Sequence, residues 1–140
     1  MSTLPASLIP LFPALTGLPP TLAAEVERQI MPMRAPAGSV LFDAGLASQA
    51  LPLVLQGNIR VSKRAENGRE SRLYGVHPGE LCIVTVSCLL GGKAYPATGI
   101  AETEVSALAL PRPLFMRLTA EHAPFRDAVF GLFSDRLTGL

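Results

Sequence analysis

The chain is poor in the residues from which most catalytic, secreted or nucleic-acid-binding sites are built. Only 16% of its 140 residues are charged, the net charge is +1, and no basic run is longer than Lys63-Arg64. That argues against a nucleic-acid-binding face on this chain. The two cysteines, Cys82 and Cys88, make no disulfide framework. The two histidines, His77 and His122, are far apart and show no metal-ligand spacing. No Ser/His/Asp set, phosphate-binding loop, paired-carboxylate signature or zinc spacing is present, so no enzyme is expected. The opening stretch MSTLPASLIPLFPALTGLPP has no basic leader and is interrupted by Pro5, Pro10 and Pro13. It reads as neither a signal peptide nor a membrane span, and the expected compartment is the cytoplasm.

What is present is apolar residue content, 49% of the chain, enough for one domain with a real core. Few charges remain to cover the outside, so some of that surface is expected in an interface. Residues 4–18 read as a short helical lead-in with Leu8, Leu11, Phe12 and Leu15 at helical spacing. A longer helix follows, with Thr21 as N-cap, Leu22, Val26, Gln29 and Ile30 on one face, and Pro32 and Pro36 as stops. From Gly38 the pattern changes. Gly57, Gly68 and Gly79 fall eleven residues apart, and strand-length pieces lie between the turns: Val40 to Phe42, Leu51 to Gln56, Ile59 to Arg64 and Arg69 to Val76. This is the rhythm of an antiparallel meander. Ile59, Val61 and Lys63 alternate with Asn58, Arg60 and Ser62, and Glu66-Asn67-Gly68-Arg69-Glu70 reads as a hairpin loop.

The stretch His77 to Val105 organises the rest. A Pro-Gly turn and Glu80 lead into an apolar segment that reads as a helical turn, Gly91-Gly92 breaks it, and a strand pattern resumes from Tyr95 to Ile100. Val105 to Leu110 is a strand buried on both sides. Leu114, Phe115 and Leu118 form a short amphipathic helix, and Thr119 to Pro124 a joint. Phe125, Val129, Leu132, Phe133, Leu137 and Leu140 then make a helical stripe. The stripe has two readings, packing on the chain's own β core or pairing with a second copy. Pairing is preferred because the stripe carries two phenylalanines and is still apolar at Leu140, which also reads as an internal point of a longer chain.

Four turn motifs in order now carry a family resemblance: Pro36 to Gly45, Leu53 to Val61, Gly68-Arg69-Glu70 and Pro78-Gly79-Glu80. Together they resemble the sensor domain of the Crp/Fnr transcription regulators. The resemblance implies a mainly β fold with flanking helices, a β-roll or cupin-like double-stranded jelly roll with short N-terminal helices and a C-terminal dimerisation helix. The divisions expected are a helical lead-in at 1–37, a β-roll core at 38–111 with a cassette-like segment at 79–98, and C-terminal helices at 112–140. It implies a homodimer through Phe125, Val129, Leu132, Phe133 and Leu137, with DNA reached only through a domain outside this chain and no membrane partner.

Nucleotide-binding members of that family use a Gly-Glu before a short helix whose N–H groups face an anion, then an Arg-Ser/Thr-Ala for the cyclic phosphate. Gly79 and Glu80 match the first part. Tyr95-Pro96-Ala97 stands where the second belongs, without a guanidinium or a hydroxyl at Pro96. An unpaired buried phosphate costs about 3–5 kcal/mol, so cyclic AMP is not expected to bind. A different small effector, a gas-responsive cofactor or no ligand at all remain open, with Gly79, Glu80, Leu81, Cys82, Tyr95 and Thr98 as the candidate pocket. Cys82 and Cys88 read either as packed small hydrophobes or as a thiol redox pair. Iron–sulfur ligation would need about four thiolates and is rejected. His77, before a turn, reads as a structural or surface residue rather than an axial haem ligand, and haem, which some Fnr-like members hold in an apolar pocket, is conceivable but unsupported. No cofactor is called. The function expected is an effector-sensing and dimerisation domain of a Crp/Fnr-type regulator; the alternative is a stand-alone β-roll ligand-binding or structural module.

Overall fold

The structure is a computed structural model and describes residues 4–139. Leu140, the last position of the expected stripe, lies outside the described residues. Seven strands form two antiparallel sheets. β1 (Met31–Ala35), β7 (Val105–Pro111) and β3 (Ala50–Gln56) make one in the order β1-β7-β3. β2 (Val40–Phe42), β6 (Thr98–Ala101), β4 (Ile59–Arg64) and β5 (Glu70–Val76) make the other in the order β2-β6-β4-β5. β7 is central and nearly continuous in its burial, as a strand covered on both faces should be.

Strand β1 corrects the expectation of a purely helical lead-in over 1–37. Pro32 there and Pro52 in β3 both sit on strands that flank β7 and form the sheet edges, where a missing N–H interrupts no ladder. A proline that stops a helix thus also opens an edge strand. The alternation expected in β4 holds for Ile59 and Val61 but fails after them. Ser62 is buried and Lys63 exposed, because the register with β5 skips Leu73 between Val61 and Ser62. Ser62 is satisfied there by donating to Glu70 Oε1.

The helices are α1 (Leu8–Leu11), a 3-10 turn (Pro13–Leu15), α2 (Pro20–Gln29), α3 (Ile83–Gly91), α4 (Arg112–Glu121) and α5 (Ala123–Thr138). α2 starts at Pro20, so Thr21 lies inside its first turn and caps nothing; its fixed φ suits proline to that position. α4 runs to Glu121 and α5 starts at Ala123, which reduces the expected joint to His122. That imidazole is buried, and its Nε2 lies 3.0 Å from the Thr16 carbonyl oxygen, holding the α4–α5 corner on the lead-in.

Two glycines are required by what they touch. At Gly57, φ is +85° and a Cβ would lie 2.1 Å from the Glu104 carbonyl oxygen, so the β3–β4 turn accepts no side chain. At Gly99 a Cβ would lie 2.3 Å from the Phe42 ring, which rests across the strand at that point. The core joins Leu51, Leu53, Ile59, Val61, Val105 and Leu110 of the roll to Leu8, Phe12, Leu22 and Val26 of the lead-in and to Phe115, Phe125 and Val129 behind.

Candidate functional site

Segment 77–98 stands where the sequence places it, with α3 at its centre. At its entry the Glu80 N–H donates to the His77 carbonyl at 3.0 Å, closing the Pro-Gly turn. Glu80 Oε1 accepts from the His77 backbone N–H at 2.7 Å and lies 2.7 Å from His77 Nδ1. The carboxylate expected to face a ligand is therefore folded back on its own turn, with its side chain 56% exposed. His77 is likewise on an exposed turn against Glu80, not in an apolar cavity.

The first turn of α3 has orphan N–H groups, and Cys82 at its N-cap supplies no side-chain bond. Tyr74 of β5 fills the gap. Its hydroxyl accepts from the Val84 N–H at 3.0 Å and lies 3.4 Å from Cys82 Sγ. Burial first, then the adjacent Cys82, pushes the phenol far up, so it is a neutral group at the point where an anion would sit. The Arg136 guanidinium of α5 covers the other face of the ring, 4.7 Å from its centroid. Tyr74 thus connects β5, the start of α3 and the end of α5.

At the far end, α3 closes on Gly92 in the left-handed conformation, and Cys88 Sγ donates to the Ala94 carbonyl at 3.6 Å. Tyr95 then enters the core instead of starting a strand; β6 begins three residues later, at Thr98. The Tyr95 ring stacks on Phe42 with centroids 4.4 Å apart, and its hydroxyl meets Ser48 Oγ at 3.0 Å. Burial raises its phenol as well.

The six residues expected to share a pocket do not converge. Gly79 and Leu81 line a groove between the lead-in and α5. Glu80 and Leu81 border a cleft with Tyr74 and Arg136. Tyr95 borders a hollow beside Phe42 and Met33, and Thr98 a groove beside Asp43, whose Oδ1 it donates to at 2.9 Å. Cys82 is fully buried against Tyr74. Tyr95 faces the core because its ring is stabilised there by stacking on Phe42. Burial also raises the Cys88 thiol, which disfavours the thiolate that a redox response requires. Both cysteines are free thiols and buried.

The C-terminal stripe divides. Phe125 and Val129 are 2% and 0% exposed in the chain's own core, so they are unavailable to a partner. Leu132 and Phe133 are half-buried against that core. Leu137 at 69% and Phe130 at 60% are exposed, and Phe130 escaped the sequence reading because it falls off the stripe by one position. Tyr74 was missed too, since nothing local marks a strand tyrosine as the cap of a helix ten residues on.

A family model described as the cyclic nucleotide-binding domain matches residues 32–122. The chain belongs to that family. It is 27% identical over 125 residues to a CRP-like cAMP-activated global transcriptional regulator of Mycobacterium tuberculosis, which covers 86% of this chain and 53% of that protein. A lysophospholipase of Phaeosphaeria nodorum is 28% identical over 140 residues, covering 97% of this chain but 9% of its own length. Among solved structures, the catabolite activator protein of Thermus thermophilus superposes with a TM-score of 0.74 at 27% identity, over 91% of this chain and 59% of that one. The sensor domain of the transcriptional regulator DNR from Pseudomonas aeruginosa has the same fold, with a TM-score of 0.73 at 18% identity over 91% and 82%. The chain thus spans about half of the regulator (53%) and a small part of the lysophospholipase (9%). Its fold is the β-roll of Crp/Fnr sensor domains. No described helix is long and apolar enough to cross a membrane.

Proposed function

We propose that this chain is the effector-sensing and dimerisation part of a Crp/Fnr-type transcription regulator, and that cyclic AMP is not its effector. One observation carries the second clause: tyrosines of the chain itself take the start of α3 and the place inside the roll where a cation would be needed. Tyr74 takes the Val84 N–H, and Tyr95 is stacked on Phe42 where a phosphate-binding cation would be needed. An anion entering there would have to displace a satisfied phenol and would meet no guanidinium inside the roll.

The first clause is supported by the route from α3 to α5. Any event that moves the start of α3 also moves Tyr74, and Tyr74 carries Arg136 of α5 on its ring. A coupling of about 1–3 kcal/mol between those elements is enough to shift a helix pairing. Phe130, Phe133 and Leu137 follow one another at steps of three and four along α5 and form the proposed seam with a second copy, replacing the buried Phe125 and Val129. DNA would be read by a domain outside these residues. The match to lysophospholipases favours a second reading, in which the same domain regulates an attached enzyme.

Thermal melts with cyclic AMP test the ligand claim: no change in Tm is expected, and a dose-dependent rise at micromolar nucleotide would refute it. Sedimentation equilibrium tests the seam. Phe130→Glu with Leu137→Glu is expected to yield monomers at concentrations where the parent chain is a dimer.

A further inference from the structure

A groove of about 560 Å³ is lined by neither tyrosine. The lead-in forms one wall with Leu11 and Leu15, the turn before α3 contributes Leu81, α5 supplies Leu132, and Leu53 lies at the floor. Three features of α5 along this groove are unexplained by its own folding. Gly131 interrupts a sixteen-residue helix, and a Cβ there would meet nothing within 4 Å. A glycine weakens a helix interior relative to alanine, and no close approach requires this one; its effect is to widen the groove. Asp135 stands in the last turn of α5, the end at which a helix disfavours negative charge. Asp127 and Asp135 are the charged groups lining the groove, and neither forms an ion pair among the described residues.

We propose that this groove binds a small molecule with an apolar body and an ammonium group at each end. The two carboxylates are eight residues apart on one helix, on the order of 12 Å at 1.5 Å per residue. Ala128 and Leu132 lie in the interval between them, and Arg136, which borders a neighbouring cleft with Asp135, is directed onto the Tyr74 ring. The charge pattern excludes an anionic amphiphile and leaves a single ammonium with one carboxylate unpaired. The groove lies on the flank of α5 away from Phe130 and Leu137, so a bound molecule leaves the proposed seam free. This site goes beyond the sensor reading and stands without it, since binding is measured on the chain alone.

Calorimetric titration of the chain with octane-1,8-diamine, octylamine and octanoate tests it, the three sharing one alkyl body. Saturable binding of the diamine is expected, roughly fivefold tighter than octylamine, as suits one additional exposed ion pair. Octanoate is expected not to saturate. Asp135→Asn should bring the diamine down to the octylamine affinity, and Gly131→Leu should abolish binding by filling the groove. Equal binding of octanoate, a diamine advantage unchanged in Asp135→Asn, or no saturation by the diamine overturns the proposal. Leucine methyl NMR of the unaltered chain removes dependence on any variant: diamine-induced shifts are expected at Leu81 and Leu132, and shifts confined to other leucines overturn it as well.

Discussion

Two tyrosines flank α3 and do different work. Tyr95, 7% exposed, is locked by its stack on Phe42 and its bond to Ser48, all within the roll. Tyr74 is half-buried, and its three partners belong to three moments of the chain: the N-cap Cys82, the first turn of α3 and the end of α5. The first is a core residue that happens to carry a hydroxyl. The second is a joint. The two rings are therefore held in physically distinct ways, one by packing inside the roll and one by contacts to other elements.

The sharpest way to break that distinction is to truncate the locked member. Tyr95→Ala is expected to cost about 3–5 kcal/mol, the range for emptying a buried aromatic site, read as a lower urea midpoint. A cost below about 1 kcal/mol would mean that the stack on Phe42 is not structural. Tyr74→Phe keeps the ring under Arg136 but removes the acceptor for Val84, with about 1–2 kcal/mol expected and faster hydrogen exchange at the Val84 amide. If exchange quickens equally throughout the protein, Tyr74 is a core residue like Tyr95 and the contrast fails. Arg136→Met probes the joint from the other side and should cost only about 0.5 kcal/mol, because the guanidinium is exposed.

The smallest effect concerns the sheet beyond both tyrosines. Glu70 is held below the ordinary carboxylate range by Ser62 and then Arg60, and Glu102 by its bond from Arg72. Both are depressed in the folded chain, so their contribution is present above the unfolded carboxylate pKa and is lost as pH falls through the folded one. Urea midpoints measured from about pH 6 to about pH 3 should fall, and the fall should be shallower when Glu70→Gln and Glu102→Gln are combined.

Much of this architecture is legible along the chain. The eleven-residue recurrence of glycines, the Asn-Gly hairpin and the Pro-Gly-Glu turn all act within a few residues, and each stands where it was expected. Pro32 is expected from the sequence as a helix stop, yet it lies in an edge strand, since whether a strand is central or peripheral depends on its neighbours. The Ser62 reversal came from an extra residue on another strand.

What the linear order determined was the set of turns and most of the strands of the meander, because these depend on local backbone preference and side-chain chemistry. The tertiary structure alone decided which way each side chain faced. It turned Glu80 back on His77, placed Tyr74 on a helix it does not belong to, and graded one apolar stripe from buried Phe125 and Val129 to exposed Leu137. Those outcomes depend on contacts between residues that are distant in sequence, and periodicity carries no information about which partner arrives.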